Sequence, residues 1–163
     1  MAIKVARRCL GVDPGSIACG WAIVEQKGNH LILVDSGVVR SKSSETFPKR
    51  CLRIHQALAK AIESHEPTYM AVEYPFVEKN AATAIKLGQI RGAILLTGSL
   101  FDLEVGDYNP MQIKKAGSGY GWAGKDQVGK MVKLILSLKE ELPVDAADAA
   151  AVAIGHLMAS RRS

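Results

Sequence analysis

The sequence predicts an α/β domain, a five-stranded mixed sheet flanked by helices. Three observations carry this reading. Short apolar runs come first and are joined by turn signals. From Phe47 the apolar residues change to helical spacing, and beyond that point helical stretches alternate with short strand-like ones. The resulting order is βββ, α, β, α, β, α, α, which suits a sheet covered by helices. At 163 residues, 48% of them hydrophobic and 23% charged, residues 1–163 are expected to form one domain with room for a substantial core.

The first three runs lie around Cys9 to Val12, Gly20 to Glu25 and Leu31 to Val39. PGS and QKGNH separate them and read as turns, so an antiparallel meander is the economical arrangement. Between Phe47 and His65, Leu52, His55, Leu58, Ala59 and Ile62 recur at helical spacing, and Pro67 stands just past the end. YMAVE, Tyr69 to Glu73, is a β-type run, and Pro75 holds Tyr74 extended and closes it. Asn80 is suited to cap a helix from Ala81 to about Leu96. That helix has two apolar faces, one with Ala81, Ala84, Ile85, Gly88, Gly92 and Leu95, the other with Leu87, Ile90 and Ile94. One face can cover the sheet, which leaves the other for a helix or a second subunit. LEVGDY, Leu103 to Tyr108, is the fifth strand, followed by Asn109-Pro110 and a segment rich in Gly and Lys. Val128, Met131, Val132 and Ile135 mark an amphipathic helix with Lys125, Lys130 and Lys133 among its polar positions. An Ala-rich helix from Ala146 to about Ser160 ends the pattern, with Arg161 and Arg162 favourably placed at its C-terminus.

Lys and Arg outnumber Asp and Glu by 21 to 16, a net charge of +5 and a pI near 9.2. That balance favours anionic partners such as nucleic acid. Cys9, Cys19 and Cys51 are widely spaced with no CxxC pair, so they suggest neither a disulfide framework nor a zinc site but small apolar residues in a reducing compartment. Nowhere do 18 apolar residues run together, and no apolar signal segment precedes the first strand. The expectation is a soluble cytoplasmic protein with no membrane partner.

Four acids stand out. GVDPGS puts Asp13 at the end of an apolar strand, and AVE does the same for Glu73. Asp is also a good turn residue that bonds its own backbone, so the first motif alone does not decide its role. If the two strands lie side by side, both carboxylates reach one end of the sheet. Asp145 and Asp148 are three apart at the start of the last helix and share a face. Asp145 equally suits the positive end of a helix dipole, whereas the alanines around Asp148 imply close packing there. Clustered carboxylates repel unless protons or cations intervene. Oxygen-only donors suit Mg²⁺ or Mn²⁺, and two such ions about 3.5–4 Å apart can assist an in-line phosphoryl displacement.

GVDPGSIACGWAIVE, AVEYPFVEKNAATAIKLGQIRGAI, IKKAGSGYGWAGKDQVGKMV and VDAADAAAVAIGH resemble, in order and spacing, segments of the RuvC-type Holliday-junction resolvases, and the resemblance covers Leu10 to about His156. It implies a ribonuclease H-like fold and a homodimeric, divalent-metal-dependent endonuclease with two Mg²⁺ or Mn²⁺ ions per active site. Such an enzyme nicks two opposing strands of a four-way DNA junction in recombination and repair, leaving 5′-phosphate ends. Partnership with the RuvA–RuvB branch-migration complex is implied as well. By motif position, Asp13, Glu73 and Asp148 fall on metal ligands and Asp145 on an accessory site. Lys114 and Lys125 fall on basic residues that steady the scissile phosphate. Phe76, with Lys79 beside it, falls on an aromatic that stacks on an unpaired base. Pro75 and Trp122 depart from the family's pattern, and Trp122 reads either as a second stacking platform in contact with DNA or as packing on the lysine-bearing helix. His30, His55, His65 and His156 read as structural. Three rival readings use the same residues: a junction-binding module without cleavage, a general nuclease, and one lobe of an actin-like or sugar-kinase ATPase, for which no second phosphate loop is evident.

Overall fold

Each of the five expected strands forms in the computed structural model, which describes residues 7–74, 80–108 and 125–159, the side chains of 125 and 126 excepted. The strands are β1 (Arg7–Asp13), β2 (Ala18–Lys27), β3 (His30–Arg40), β4 (Tyr69–Glu73) and β5 (Glu104–Tyr108). The helices are α1 (Phe47–His65), α2 (Ala81–Leu100), α3 (Lys125–Ile135) and α4 (Val144–Ala159). The sheet order is β3-β2-β1-β4-β5. β1, β2 and β3 form the antiparallel meander, while β4 runs parallel to β1 and β5 parallel to β4. Val12 is opposite Val72, so Asp13 and Glu73, each one residue further on, leave their strands at the same end of the sheet.

Alternation along the strands sends side chains to two cores. On one face Cys9, Ala22, Val24 and Ala71 pack with Met131 and Val132 of α3 and with the alanines, Val152 and Leu157 of α4. On the other, Leu10, Val12, Ile23, Met70 and Val72 meet Ile54 and Leu58 of α1 and Ile90 and Ile94 of α2. Helix α4 is buried almost all round, which is why its sequence is apolar without an evident stripe.

Two glycines admit α4 to the sheet. A Cβ on Gly11 would overlap the Ala149 carbonyl oxygen and stand 2.8 Å from the Ala153 amide nitrogen. A Cβ on Gly20 would overlap the carbonyl of Asp145 and stand 3.0 Å from the amide nitrogen of Ala146. In both places the helix backbone itself lies against the strand, so no side-chain movement could make room.

Local signals explain most boundaries. Asn80 caps α2 as expected, its Oδ1 accepting from the amides of Ala82 and Thr83 at 3.0 and 3.3 Å. Helix α1 ends where Glu66 turns left-handed at φ 46° and donates its N–H to Ile62, just ahead of Pro67. Helix α2 runs beyond the expected Leu96 to Leu100. The extension is held by Thr97, fully buried, whose hydroxyl donates to the Ala93 carbonyl at 2.8 Å and meets His55 Nδ1 at 2.9 Å across to α1. At the opposite end of the sheet from the acids, Arg8 donates to Glu25 at 2.5 Å and to the His65 carbonyl at 2.7 Å. That guanidinium holds the buried Glu25 carboxyl below the usual range.

Gly11→Ala should therefore lower the unfolding free energy by about 3 kcal/mol or more, since an added methyl meets backbone rather than a yielding side chain. Urea denaturation followed by far-ultraviolet circular dichroism measures this, and a loss below about 1 kcal/mol would contradict the packing described.

Candidate active site

Asp13 and Glu73 end neighbouring parallel strands, and both share the strand parity of residues that face α4, Cys9 and Gly11 in β1 and Ala71 in β4. Asp13 is paired across to Gly20, and the Asp145 carbonyl abuts Gly20. The first turn of α4 is thus laid over the end of β1, and Asp148 follows one turn on. All four acidic residues are partly exposed.

Their electrostatics are those of a shared site. The Asp13 carboxyl is pushed up to about 9, first by burial, then by the charge of Glu73 and a hydrogen bond to it, and further by the charges of Asp148 and Asp145. In its neutral form Asp13 donates its O–H to the Glu73 carboxylate, so a proton stands where two like charges would otherwise meet. Cys19 lies near enough to feel Asp13 and Asp145, yet burial above all pushes its thiol up to about 12. It stays a neutral thiol, which leaves a donor set of hard carboxylate oxygens suited to Mg²⁺ or Mn²⁺ and unsuited to softer ions. No three His, Cys, Asp or Glu side chains among the described residues have the arrangement of a metal cage; the acids meet as a protonated pair with two further carboxylates close by.

Two groupings around β4 and β5 were not foreseen from the sequence. The Tyr74 amide donates to the Tyr108 carbonyl at 2.7 Å, carrying the β4–β5 pairing one residue past Glu73. The Tyr74 ring is half-exposed, with the Arg91 guanidinium 4.9 Å from its centroid, and Arg91 is ion-paired with Asp107. On the α4 face the Tyr108 hydroxyl bonds His156 Nδ1, and the Tyr69 ring lies 4.9 Å from the imidazole. Burial pushes the His156 imidazole below its usual value, in keeping with a structural histidine. The one available signal for Arg91 was an isolated cation between Ile90 and Gly92 in an apolar stretch. Phe76, Lys79, Lys114 and Trp122 lie outside the described residues; Lys125 opens α3, and its side chain lies outside them too.

The family model described as RuvC, crossover junction endodeoxyribonuclease, matches residues 9–156. This chain belongs to the RuvC family. A RuvC crossover junction endodeoxyribonuclease of Geobacter sulfurreducens is 46% identical over 149 residues, covering 91% of each chain. That of Natranaerobius thermophilus is 44% identical over 153 residues, covering 93% of this chain and 95% of the relative. Among solved structures, Thermus thermophilus RuvC in complex with a Holliday junction substrate superposes with a TM-score of 0.87 at 31% identity, covering 96% of both chains. The yeast mitochondrial Holliday junction resolvase Ydc2, with a TM-score of 0.68 at 15% identity over 93% of this chain and 78% of its own, shares the fold. The five-stranded mixed sheet with flanking helices is the ribonuclease H-like fold of RuvC, as the sequence led us to expect. Among the described residues no helix is long and apolar enough to cross a membrane.

The raised Asp13 value fixes the sign of a pH dependence. The unfolded chain releases this proton near the ordinary aspartate value of 3.8, whereas the folded metal-free protein keeps it up to about 9. The folded state therefore binds more protons across that window, and this site makes stability fall as pH rises through it. In EDTA, the difference in unfolding free energy between wild type and Asp13→Asn should grow in favour of the variant from about pH 5 to about pH 8, as read by urea denaturation. A pH-independent difference would contradict the proton bridge.

Proposed function

We propose that this protein resolves Holliday junctions as a structure-selective, divalent-metal-dependent endonuclease that hydrolyses two opposing strands symmetrically. The observation that carries the reading is the meeting of Asp13 with Glu73 at the open end of the sheet, within electrostatic reach of both α4 aspartates. Family membership supports the same substrate and reaction class.

Asp13, Glu73 and Asp148 would hold two Mg²⁺ or Mn²⁺ ions, with Asp145 as a fourth acid at the rim. When bound, these ions supply Lewis acidity to an attacking water and to the leaving oxygen of an in-line phosphoryl displacement, which leaves a 5′-phosphate and a 3′-hydroxyl. Asp13 would release its proton to solvent as the site fills, its carboxyl changing from hydrogen-bond donor to carboxylate ligand. Lys114 and Lys125 steady the scissile phosphate and the charge that develops on it. Phe76 stacks on an unpaired base at the junction, Lys79 contacts the adjacent backbone, and Trp122 gives either a second aromatic contact or packing on α3. The excess of basic residues draws the polyanion to a site whose own side chains are acidic.

A two-fold symmetric substrate calls for two active sites related by a two-fold axis, and hence for a homodimer. Helix α2 offers a face for it. Ile90 and Ile94 are buried against the sheet, while Ile85, Leu96 and Leu100 are 63%, 60% and 62% exposed, with open space over Gly88 and Gly92 between them. The same reading includes a cytoplasmic location and collaboration with a RuvA–RuvB branch-migration complex, both supported by family membership.

Nicking of a synthetic four-way junction in Mg²⁺ or Mn²⁺ tests the reaction. Asp13→Asn and Asp148→Asn should each slow it by about a hundredfold or more while junction binding persists. Binding without nicking by the wild type would leave a junction-binding module, and equal cutting of linear duplex a general nuclease. The dimer is tested separately by analytical ultracentrifugation at micromolar concentration. Wild type should sediment as a dimer and Leu96→Glu as a monomer, and a monomeric wild type, alone and on junction DNA, would overturn the interface.

A further inference from the structure

Arg91 lies on α2, which packs over β4 and β5 on the face of the sheet away from the acids. Its side chain is only 16% exposed, yet its Nε has no hydrogen-bond partner among the described residues. Its charge is met by Asp107 of β5, itself 53% exposed, and its guanidinium stands 4.9 Å from the centroid of the Tyr74 ring. As a stabilising element this is a poor choice. Removing a guanidinium from water is costly, a half-exposed carboxylate returns part of that cost, and apolar residues of similar volume commonly replace such pairs without loss. What the arginine offers that an apolar residue does not is direction, because its planar group is held at once by a carboxylate on β5 and by an aromatic face.

That aromatic face belongs to the residue directly after Glu73. The backbone of Tyr74 is fixed by its amide bond to the Tyr108 carbonyl, and its ring is fixed by Arg91. On the other side of Glu73, Val72 is fully buried between its partners on β1 and β5. Glu73 is thus held from both neighbours, and the charged hold comes from the helix proposed to face a second subunit. We propose that Arg91 is a positioning residue that, through Tyr74 and Asp107, sets the end of β4 so that the Glu73 carboxylate meets Asp13. The inference rests on the nuclease reading above and deepens it by naming a residue on the opposite face of the sheet that the reaction requires.

The test compares wild type, Arg91→Met, Tyr74→Leu and the double variant in two measurements: the single-turnover nicking rate of a synthetic four-way junction at saturating protein in Mg²⁺, and junction affinity by gel shift in Ca²⁺. A positioning role predicts that Arg91→Met slows nicking by about tenfold or more with affinity within about threefold of wild type, since a small displacement of a catalytic group suffices for such a loss. Tyr74→Leu should show the same split, and the double variant should be no slower than the slower single one, because both changes break one linkage. A wild-type rate for Arg91→Met, a loss expressed as weaker binding, or losses that multiply in the double variant would each overturn the role. If Arg91→Met does not fold, Tyr74→Leu decides, as its ring is half-exposed and its removal opens no core cavity. A wild type that nicks while the variants nick equally well ends this inference alone; a wild type that does not nick in Mg²⁺ or Mn²⁺ ends the nuclease reading and this inference with it.

Discussion

The backbone of helix α4 lies directly on β1 and β2, and that close approach is the constraint on which the site depends. Ordinary helix-on-sheet packing is spaced by side chains from both layers. Here one layer contributes none at two points, because Gly11 and Gly20 face the carbonyls of Ala149 and Asp145. The helix answers with alanines at 146, 147, 149, 150, 151 and 153, all buried. The separation is set by backbone contact, which cannot relax through rotamer changes as a contact between long side chains can. The two aspartates at the start of α4 are thereby carried to the end of β1 with little freedom to drift from it.

That rigidity has an electrostatic consequence. Four carboxylates brought to one end of a sheet would push apart if the scaffold could yield, and it does not. The strain is relieved chemically instead, by the proton that Asp13 retains and shares with Glu73. The two cores on either side of the sheet hold the arrangement against its own repulsion, since β1 and β4 are anchored by Leu10, Val12, Met70 and Val72 on the face away from the acids. The site stays partly exposed while the strands that present it are fully buried a residue earlier, and this contrast lets it be rigid and accessible together.

Much of this was legible in the sequence because the informative signals were local. CLGVD and YMAVE each state a strand and its terminal acid within five residues, and Asn80 announces a helix start. Side-by-side placement of β1 and β4 is the condition on which the two acids meet, and the observed register fulfils it. Signals that depend on distant residues were not legible. The apolar pattern of α2 reaches only about Leu96, whereas the helix continues to Leu100 with Thr97 satisfied by Ala93 and by His55 on another helix. Gly11 and Gly20 read as unremarkable strand residues until the helix they admit is in place. Arg91, Tyr74 and Asp107 belong to three different elements, and nothing in their spacing along the chain declares that they meet. The proposed roles of Phe76, Lys114 and Lys125 rest on family likeness, that of Lys79 on its place near Phe76, and that of Trp122, which departs from the family's pattern, on its aromatic chemistry.

The acids come from the first strand, the fourth strand and the last helix, so no portion of the chain short of nearly all of it can assemble them. In the nuclease reading, a divalent ion that needs several carboxylates at once would consequently have affinity for the native state and little for the unfolded chain, and its binding would add to stability by mass action. The proton on Asp13 makes that linkage depend on pH. To bind, an ion would have to displace the proton, so as pH rises the metal-free protein grows less stable while an ion would meet less competition. In the nuclease reading, metal binding would therefore stabilise the fold most where the repulsion among the acids burdens it most, and one repulsive cluster would serve both as the ligand set and as the reason the fold benefits from an ion.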